Sequence, residues 1–297
     1  MTATDDHAER FTVLRPLLFT IAYEILGSAT EADDVLQDSY LRWAGVDLAE
    51  VRDTKAYLAK LVTRQALNTL RAQARRREDY VGPWLPEPLL LDDHDGAADV
   101  VLAESVSMAM LVVLETLTPD ERAVFVLREV FGFSHDEIAS AIGKSTASVR
   151  QMAHRARAHV HARRRRFEPV DAEKSERITT QFLIAAATGD LQGLMAMLAP
   201  DVVFTSDSDG KVSAARRPVV GPEKVARLLI GLMSRAGSEY RVEITAYNSA
   251  PAAIVYRDEQ PDSVFLIEVT DGKITNFYAI RNPEKLASAT VRREISR

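Results

Sequence analysis

There is no cysteine among the 297 residues. Disulfides, thiolate nucleophiles and cysteine-ligated zinc are therefore excluded, and the composition fits a reducing compartment, the cytoplasm. No apolar run approaches the length of a membrane span, so no membrane association is expected. The opening MTATDDHAER is acidic and polar, unlike a secretory signal. No histidine follows His161, which deprives the C-terminal part of the commonest general base and metal ligand. His7, His94, His135, His154, His159 and His161 show no metal-ligand spacing, and no cofactor is implied. Acidic residues are missing from two places. Thr54–Arg77 holds seven basic residues and no acid, and Ile138–Phe167 holds eight more. The net charge is nevertheless −6, because Glu78–Glu137 between them is heavily acidic. Two basic surfaces with an acidic connection predict two contacts along one polyanion.

The second basic block contains the most specific pattern. SHDEIASAIGKSTASVRQMAHRARAHV places Ile138, Ala139, Ile142, Val149 and Met152 on the inward faces of two short helices. Gly143 supplies the positive φ of a tight interhelical turn, and Thr146 is the expected cap of the second helix. This is a helix-turn-helix pattern. Ser148, Arg150, Gln151, His154, Arg155 and Arg157 then face outward, as donors for base edges and phosphates.

The first block predicts a helix with Tyr57, Leu58, Leu61 and Val62 on an apolar side. Lys60, Arg64, Asn68, Arg71 and Arg75 form a stripe suited to a phosphate backbone or splayed bases. Ahead of it, Arg15–Trp43 reads as two amphipathic helices broken at Gly27–Ser28–Ala29, with Thr30 as the cap. Leu17, Leu18, Ile21, Ala22 and Ile25 line the first. Val35, Leu36, Tyr40, Leu41 and Trp43 supply apolar surface on the second. Its other face carries Glu31, Asp33, Asp34, Gln37 and Asp38, which suits a protein contact better than nucleic acid.

The order of ATEADDVLQDSYLRW, TKAYLAKLVTRQALNTLRAQARRR and LTPDERAVFVLREVFGFSHDEIASAIGKSTASVRQMAHRARAHV resembles the extracytoplasmic-function (ECF) sigma factors. These are dissociable promoter-recognition subunits of bacterial RNA polymerase. The resemblance covers Phe11–Val160. It implies a region 2 bundle over 8–80 and a region 4 helix-turn-helix over 100–167. Asp33, Asp34, Gln37 and Asp38 would contact the core enzyme at the clamp helices of β′. Lys60, Arg64, Asn68 and Arg71 would meet the melted −10 strand. Ser148, Arg150, Gln151, His154, Arg155 and Arg157 would read the −35 duplex, and the helix Glu121–Glu129 would support the contact with the flap of β.

Between the modules, residues 81–99 form a linker. VGPWLPEPLLL carries three prolines and a tryptophan and cannot be a continuous helix. Asp92–Asp99 is acidic, and Val100–Leu117 reads as a helix. After the arginine run Arg163–Arg166 the chain changes character at Phe167–Pro169, and 173–290 reads as a separate α+β domain. A helical pair spans Ile178–Met197, a strand Asp201–Ser206 and a helix Pro222–Ser234. Strands follow at Tyr240–Tyr247, Ala252–Arg257, Ser263–Thr270 and Lys273–Ile280. The WLPEP segment and this domain resemble the ECF subgroup with a fused C-terminal SnoaL-like cone domain. Its two short motifs correspond to Asp207–Lys211, which lacks two of the motif's glycines, and Asn282–Leu286. That resemblance implies a regulatory contact through Trp84, Leu85, Pro86, Asp207, Gly210, Lys211, Asn282, Pro283 and Lys285.

No catalytic constellation emerges. Asp207 and Asp209 are candidate general bases and Tyr247, Tyr256 and Tyr278 candidate donors, but isolated carboxylates near a glycine read more readily as turn residues. The expectation is therefore an alternative sigma factor, not an enzyme, with core polymerase and promoter DNA as partners. A small ligand in the C-terminal domain is a further expectation. The rival readings are a one-component ligand-responsive helix-turn-helix regulator, which leaves both the acidic face and the first basic block idle, and an enzyme with a DNA-binding appendage.

Overall fold

The computed structural model describes residues 3–77, 79–91, 99–163, 172–235 and 237–297. Most of the acidic end of the linker, and most of the arginine run with the expected domain boundary, lie outside the described residues. No described helix is long and apolar enough to cross a membrane.

Three helices build the first module: α1 (Ala3–Leu26), α2 (Ala29–Trp43) and α3 (Thr54–Arg77). Leu17, Leu18, Ile21, Ala22 and Ile25 are all buried, as their spacing predicts. Helix α1 begins well before Arg15 and runs through Pro16. It ends at Gly27, whose φ of 71° satisfies a left-handed cap. A Cβ there would stand 3.1 Å from both the Trp84 ring and Glu115. Ser28, not Thr30, caps α2, accepting from the Glu31 amide. The break between α1 and α2 leaves Ser28 extended, so the side chain nearest the first free N–H takes the role.

The second module comprises α4 (Val100–Ser105), α5 (Met108–Leu114), α6 (Pro119–Phe125), a π-helical turn Val126–Val130, α7 (His135–Ile142) and α8 (Thr146–Arg163). The single helix expected over Val100–Leu117 is two, because Ser107 caps a fresh start by accepting from the Met110 amide. Thr118 with Glu121, and Ser134 with Glu137, form reciprocal capping boxes that fix the starts of α6 and α7. Gly143 adopts φ 71° at the turn, and Ile138, Ala139, Val149 and Met152 are buried between α7 and α8. Ser145, not Thr146, accepts from the Ser148 amide. The Thr146 hydroxyl instead donates to Asp136 at 2.6 Å.

The C-terminal α+β cone domain has α9 (Ala172–Thr188), α10 (Leu191–Met197) and α11 (Pro222–Met233) on one side of a sheet. Its long strands are β2 (Leu198–Asp207), β4 (Tyr240–Tyr247), β5 (Ala250–Arg257), β6 (Gln260–Thr270) and β7 (Lys273–Ile280). Short strands β1 (Leu90–Leu91), β3 (Val219–Val220) and β8 (Arg292–Arg293) complete the order β3-β2-β7-β6-β5-β4-β1-β8. Only β2–β7 and β1–β8 are parallel. Strand β1 comes from the linker and β8 follows residue 290, so the sheet recruits two residue pairs from outside 173–290. The last helix, α12 (Pro283–Leu286), is capped by Asn282.

Cores follow the same division, with one exception. The two helical modules share one apolar cluster, which also takes in Ile295. Phe182, Leu194, Phe204, Val225 and Phe277 join the helices to one side of the sheet. On the other side, Leu85 and Met108 enter among Tyr247, Ile254, Leu266 and Tyr278.

Candidate functional site

On α2, the helical repeat turns Asp34, Gln37 and Asp38 to solvent, while Val35, Leu36 and Trp43 go inward. Leu41 follows the acidic residues and not the core: it is 66% exposed, three residues on from Asp38 and four from Gln37. By composition Leu41 groups with Val35, Leu36 and Trp43, and its exposure separates it from them. The result is an exposed apolar side chain with Gln37 and Asp38 one turn before it on the same face. Asp33 lies at the margin, with one carboxylate oxygen accepting from Arg15 at 3.0 Å and the other from Arg293 at 2.6 Å.

The basic stripe of α3 stays exposed at Arg64, Asn68 and Arg71, but three of its groups are already engaged. Arg64 donates from Nε to the Ala141 carbonyl at 2.9 Å and from a terminal nitrogen to the Ser140 carbonyl at 3.0 Å. Both carbonyls belong to the last turn of α7, where no intrahelical N–H remains to meet them and the helix dipole favours a cation. Lys60 donates to the Ser140 hydroxyl at 2.8 Å, and Arg71 pairs with Asp120 at 2.5 Å. Burial raises the Asp120 pKa, but Arg71 and Lys144 outweigh it and hold the carboxyl below its usual range. Of the expected −10 residues, Asn68 is exposed and has no such partner in region 4 among the described contacts. Thus three of the four touch the second helical module.

Helix α8 carries Arg150, Gln151, His154 and Arg155 side by side along one open depression. Ser148 is half-buried at its start. Arg155 also donates to Glu121 at 3.0 Å, which braces α8 on α6. Arg157 is drawn the other way, into a 2.5 Å pair with Glu129.

Between the modules lies a buried polar joint that the sequence did not flag. Arg122, 1% exposed, donates from Nε to the Glu24 carbonyl at 2.8 Å and pairs with Glu115. The Glu24 carboxyl is fully buried and accepts from Ser105 at 2.6 Å. Burial pushes its pKa up to about 8, against the opposing pull of Ser105 and Arg122. A carboxyl that keeps its proton in the fold but loses it near pH 4.5 when unfolded lowers stability as pH rises from there to about 8. Glu24→Gln is expected to remove that slope, so its advantage over wild type grows by about 2–5 kcal/mol between pH 5 and pH 8.5. Urea denaturation across that range checks it, and parallel curves would contradict it.

The linker is clamped along its length, by region 2 and by the C-terminal domain. Glu87 accepts from the Ser28 hydroxyl at 2.7 Å and the Thr30 amide at 3.0 Å, while its own carbonyl accepts from Tyr23. On the C-terminal domain, fully buried Asp207 accepts from the Leu85 amide at 2.7 Å, from Lys285 at 2.7 Å and from the Tyr80 hydroxyl. Lys285 also donates to the Leu85 carbonyl and stands 3.8 Å from the Trp84 ring centre. Asn282 donates to Tyr80 at 2.9 Å. Burial, then the bond to Asp207, pushes the Tyr80 hydroxyl far above its ordinary pKa. Pro283 starts the short helix that presents Lys285, and Pro86 is buried beside Leu85. Gly210, at φ 66°, brings the loop against Val81, where a Cβ would stand 3.2 Å from that side chain. Lys211 pairs with Asp209 and Glu284 rather than with the linker. Despite the missing glycines, Asp209 itself adopts φ 49° and accepts from the Val81 amide.

Asn248 ties three parts together. It donates to the Tyr23 hydroxyl at 2.7 Å and the Val106 carbonyl at 2.8 Å, and accepts from the Leu89 amide at 2.9 Å. Among the described residues no cluster of acids and histidines is arranged to hold a metal.

Comparison with known proteins agrees with this geometry. Residues 11–76 match the family Sigma-70 region 2, and residues 107–160 match Sigma-70, region 4. The ECF RNA polymerase sigma factor SigJ of Mycobacterium tuberculosis is 37% identical, over 95% of this chain and 94% of its own. The probable ECF RNA polymerase sigma factor SigI of the same species is 27% identical, over 96% and 97%. The crystal structure of Mycobacterium tuberculosis SigJ superposes with a TM-score of 0.77 at 34% identity, covering 96% of this chain and 99% of that one. With both sigma regions in order and the likeness running through the C-terminal sheet domain, the chain belongs to the ECF sigma factors, non-enzymatic subunits that bind core RNA polymerase and direct it to promoters.

Proposed function

We propose that this structure is the closed form of the sigma factor, and that the C-terminal domain governs its opening by holding the linker. The observation that carries this reading is the occupation of Lys60, Arg64 and Arg71 by region 4. Those groups cannot meet a melted −10 strand while they bond to α7 and to Asp120. Opening requires the modules to separate, and the linker that joins them is fastened to the C-terminal domain through Asp207 and Lys285.

In the open form, Asp33, Asp34, Gln37 and Asp38 dock the clamp helices of β′, with exposed Leu41 beside them as the desolvated anchor. Lys60, Arg64, Asn68 and Arg71 capture the unpaired −10 strand. Arg150, Gln151, His154 and Arg155 read the −35 major groove, with Ser148 and Arg157 at its flanks, and α6 supports the contact with the flap of β. A small apolar ligand entering the sheet's linker side would compete with Leu85 for the same space.

Titration of the full chain against bacterial core polymerase tests the reading. Asp34→Lys with Asp38→Lys is expected to weaken core binding at least tenfold. Arg150→Ala with Gln151→Ala should leave core binding intact and lower −35 promoter affinity by about 10–100-fold, at 1–3 kcal/mol for each good base contact. Unchanged core binding after both charge reversals would remove the docking assignment.

A further inference from the structure

Beyond the sheet the chain returns to the first module. We infer that residues 290–297 act as a strap, an intramolecular competitor for the polymerase-docking side of region 2 that must leave its seat when the core enzyme binds. The inference rests on the proposed docking role of the α2 acidic face.

The strap is built into its seat at every step. Strand β8 lies parallel to β1, with Arg292 opposite Leu90 and Arg293 opposite Leu91. Ile295 is 2% exposed and belongs to the core shared by the two helical modules, not to the sheet domain. The Ser296 amide donates to the Thr20 hydroxyl of α1 at 3.2 Å. Arg297 pairs with Asp99 and reaches the Val130 carbonyl, which brings region 4 into the same fastening. Arg293 lies 5.6 Å from the Phe19 ring centre and bonds to Asp33. With Arg15 on the other oxygen, both oxygens of the Asp33 carboxylate are taken from within the chain.

The seat is also imperfect in a way that favours release. Nε of Arg293 is buried and makes no hydrogen bond among the described residues. A buried, unsatisfied charged donor carries a desolvation cost that solvent would relieve on leaving. An incoming basic element of the polymerase would take over Asp33 and leave Arg293 hydrated. The anchor that opposes release is therefore the apolar side chain of Ile295, together with the two-residue β8 pairing.

The test uses the full chain with two strap variants, Ile295→Asp and the milder Arg293→Ala, and with the docking-face variant Asp34→Lys/Asp38→Lys. Hydrogen exchange over 290–297 reports whether the strap is seated. Core-polymerase titration reports affinity. In wild type, exchange at 290–297 should be slow in the free protein and fast in the polymerase complex. Ile295→Asp should make it fast without polymerase and tighten core binding about tenfold, with a smaller shift in the same direction for Arg293→Ala. Protection of 290–297 that persists in the complex overturns the inference, as does a released strap with unchanged affinity in both variants. If the docking-face variant binds core as wild type does, the docking reading fails instead and takes the competition with it. The exchange data separate the two failures.

Discussion

Asp207→Ala is expected to detach the linker from the C-terminal domain and to cost the folded chain about 3–5 kcal/mol, as for other broken buried ion pairs. The carboxylate is fully buried and its partner Lys285 nearly so. Removing it strands the Lys285 ammonium, the Leu85 amide and the Tyr80 hydroxyl, three donors that converge on one side chain. Asp207→Asn keeps one acceptor oxygen and loses the charge, so its effect should fall between Ala and wild type. Asp207→Ala combined with Lys285→Met should recover part of the loss, since no buried charge is then left unpaired. Urea unfolding gives the energies, and hydrogen exchange over residues 80–90 locates them. If Asp207→Ala left exchange of that segment slow, the pair would not be what fastens the linker.

What the sequence disclosed and what it hid divide along a physical line. Features with a local pattern were legible: the buried stripe of α1, the inward set of the helix-turn-helix with Gly143 at its corner, and the runs of β4 to β7 that pair as successive antiparallel neighbours. Each repeats a local rule over several residues, so packing reinforces it. Caps slipped by one or two positions at Ser28 and Ser145, because runs such as Gly-Ser-Ala-Thr and Lys-Ser-Thr offer two hydroxyls and backbone geometry decides between them. The outer strands Leu90–Leu91 and Arg292–Arg293 are too short to show any period. Single polar residues whose partners lie far along the chain were invisible. Asn248 meets Tyr23 across 225 residues and Glu87 meets Ser28 across 59, and neither has a local signature. For the candidate interfaces the sequence supplied the side chains but not their engagement. Basic stripes on α3 and α8 look alike in composition, yet Arg150, Gln151 and His154 of α8 line an open depression while Lys60 and Arg64 of α3 are bonded to α7.

That difference makes the closed form directly testable, and the absence of cysteine makes the test selective. Lys60→Cys with Ser140→Cys, joined by a short bismaleimide carrying a cleavable disulfide, is expected to lower promoter opening at least 100-fold. The two positions meet in the structure, where Lys60 donates to the Ser140 hydroxyl. A tether that replaces the long Lys60 side chain and its hydrogen bond therefore keeps α7 beside α3. With α7 fixed over α3, Arg64 stays on the carbonyls of Ser140 and Ala141 and cannot reach an extruded base. A hundredfold loss corresponds to about 2.7 kcal/mol at the barrier, well within what denying a sigma factor its strand contacts should remove. Reductive cleavage of the same sample should restore activity to that of the uncrosslinked double variant, which controls for the loss of the Lys60 charge. Core-polymerase affinity, measured in parallel, shows whether docking at α2 needs opening or precedes it. Docking that survives the tether would place separation of the modules after core binding, while loss of both would place it before. Full promoter opening by the tethered protein would mean that region 4 does not have to leave α3, and the closed form proposed here would then have no bearing on initiation.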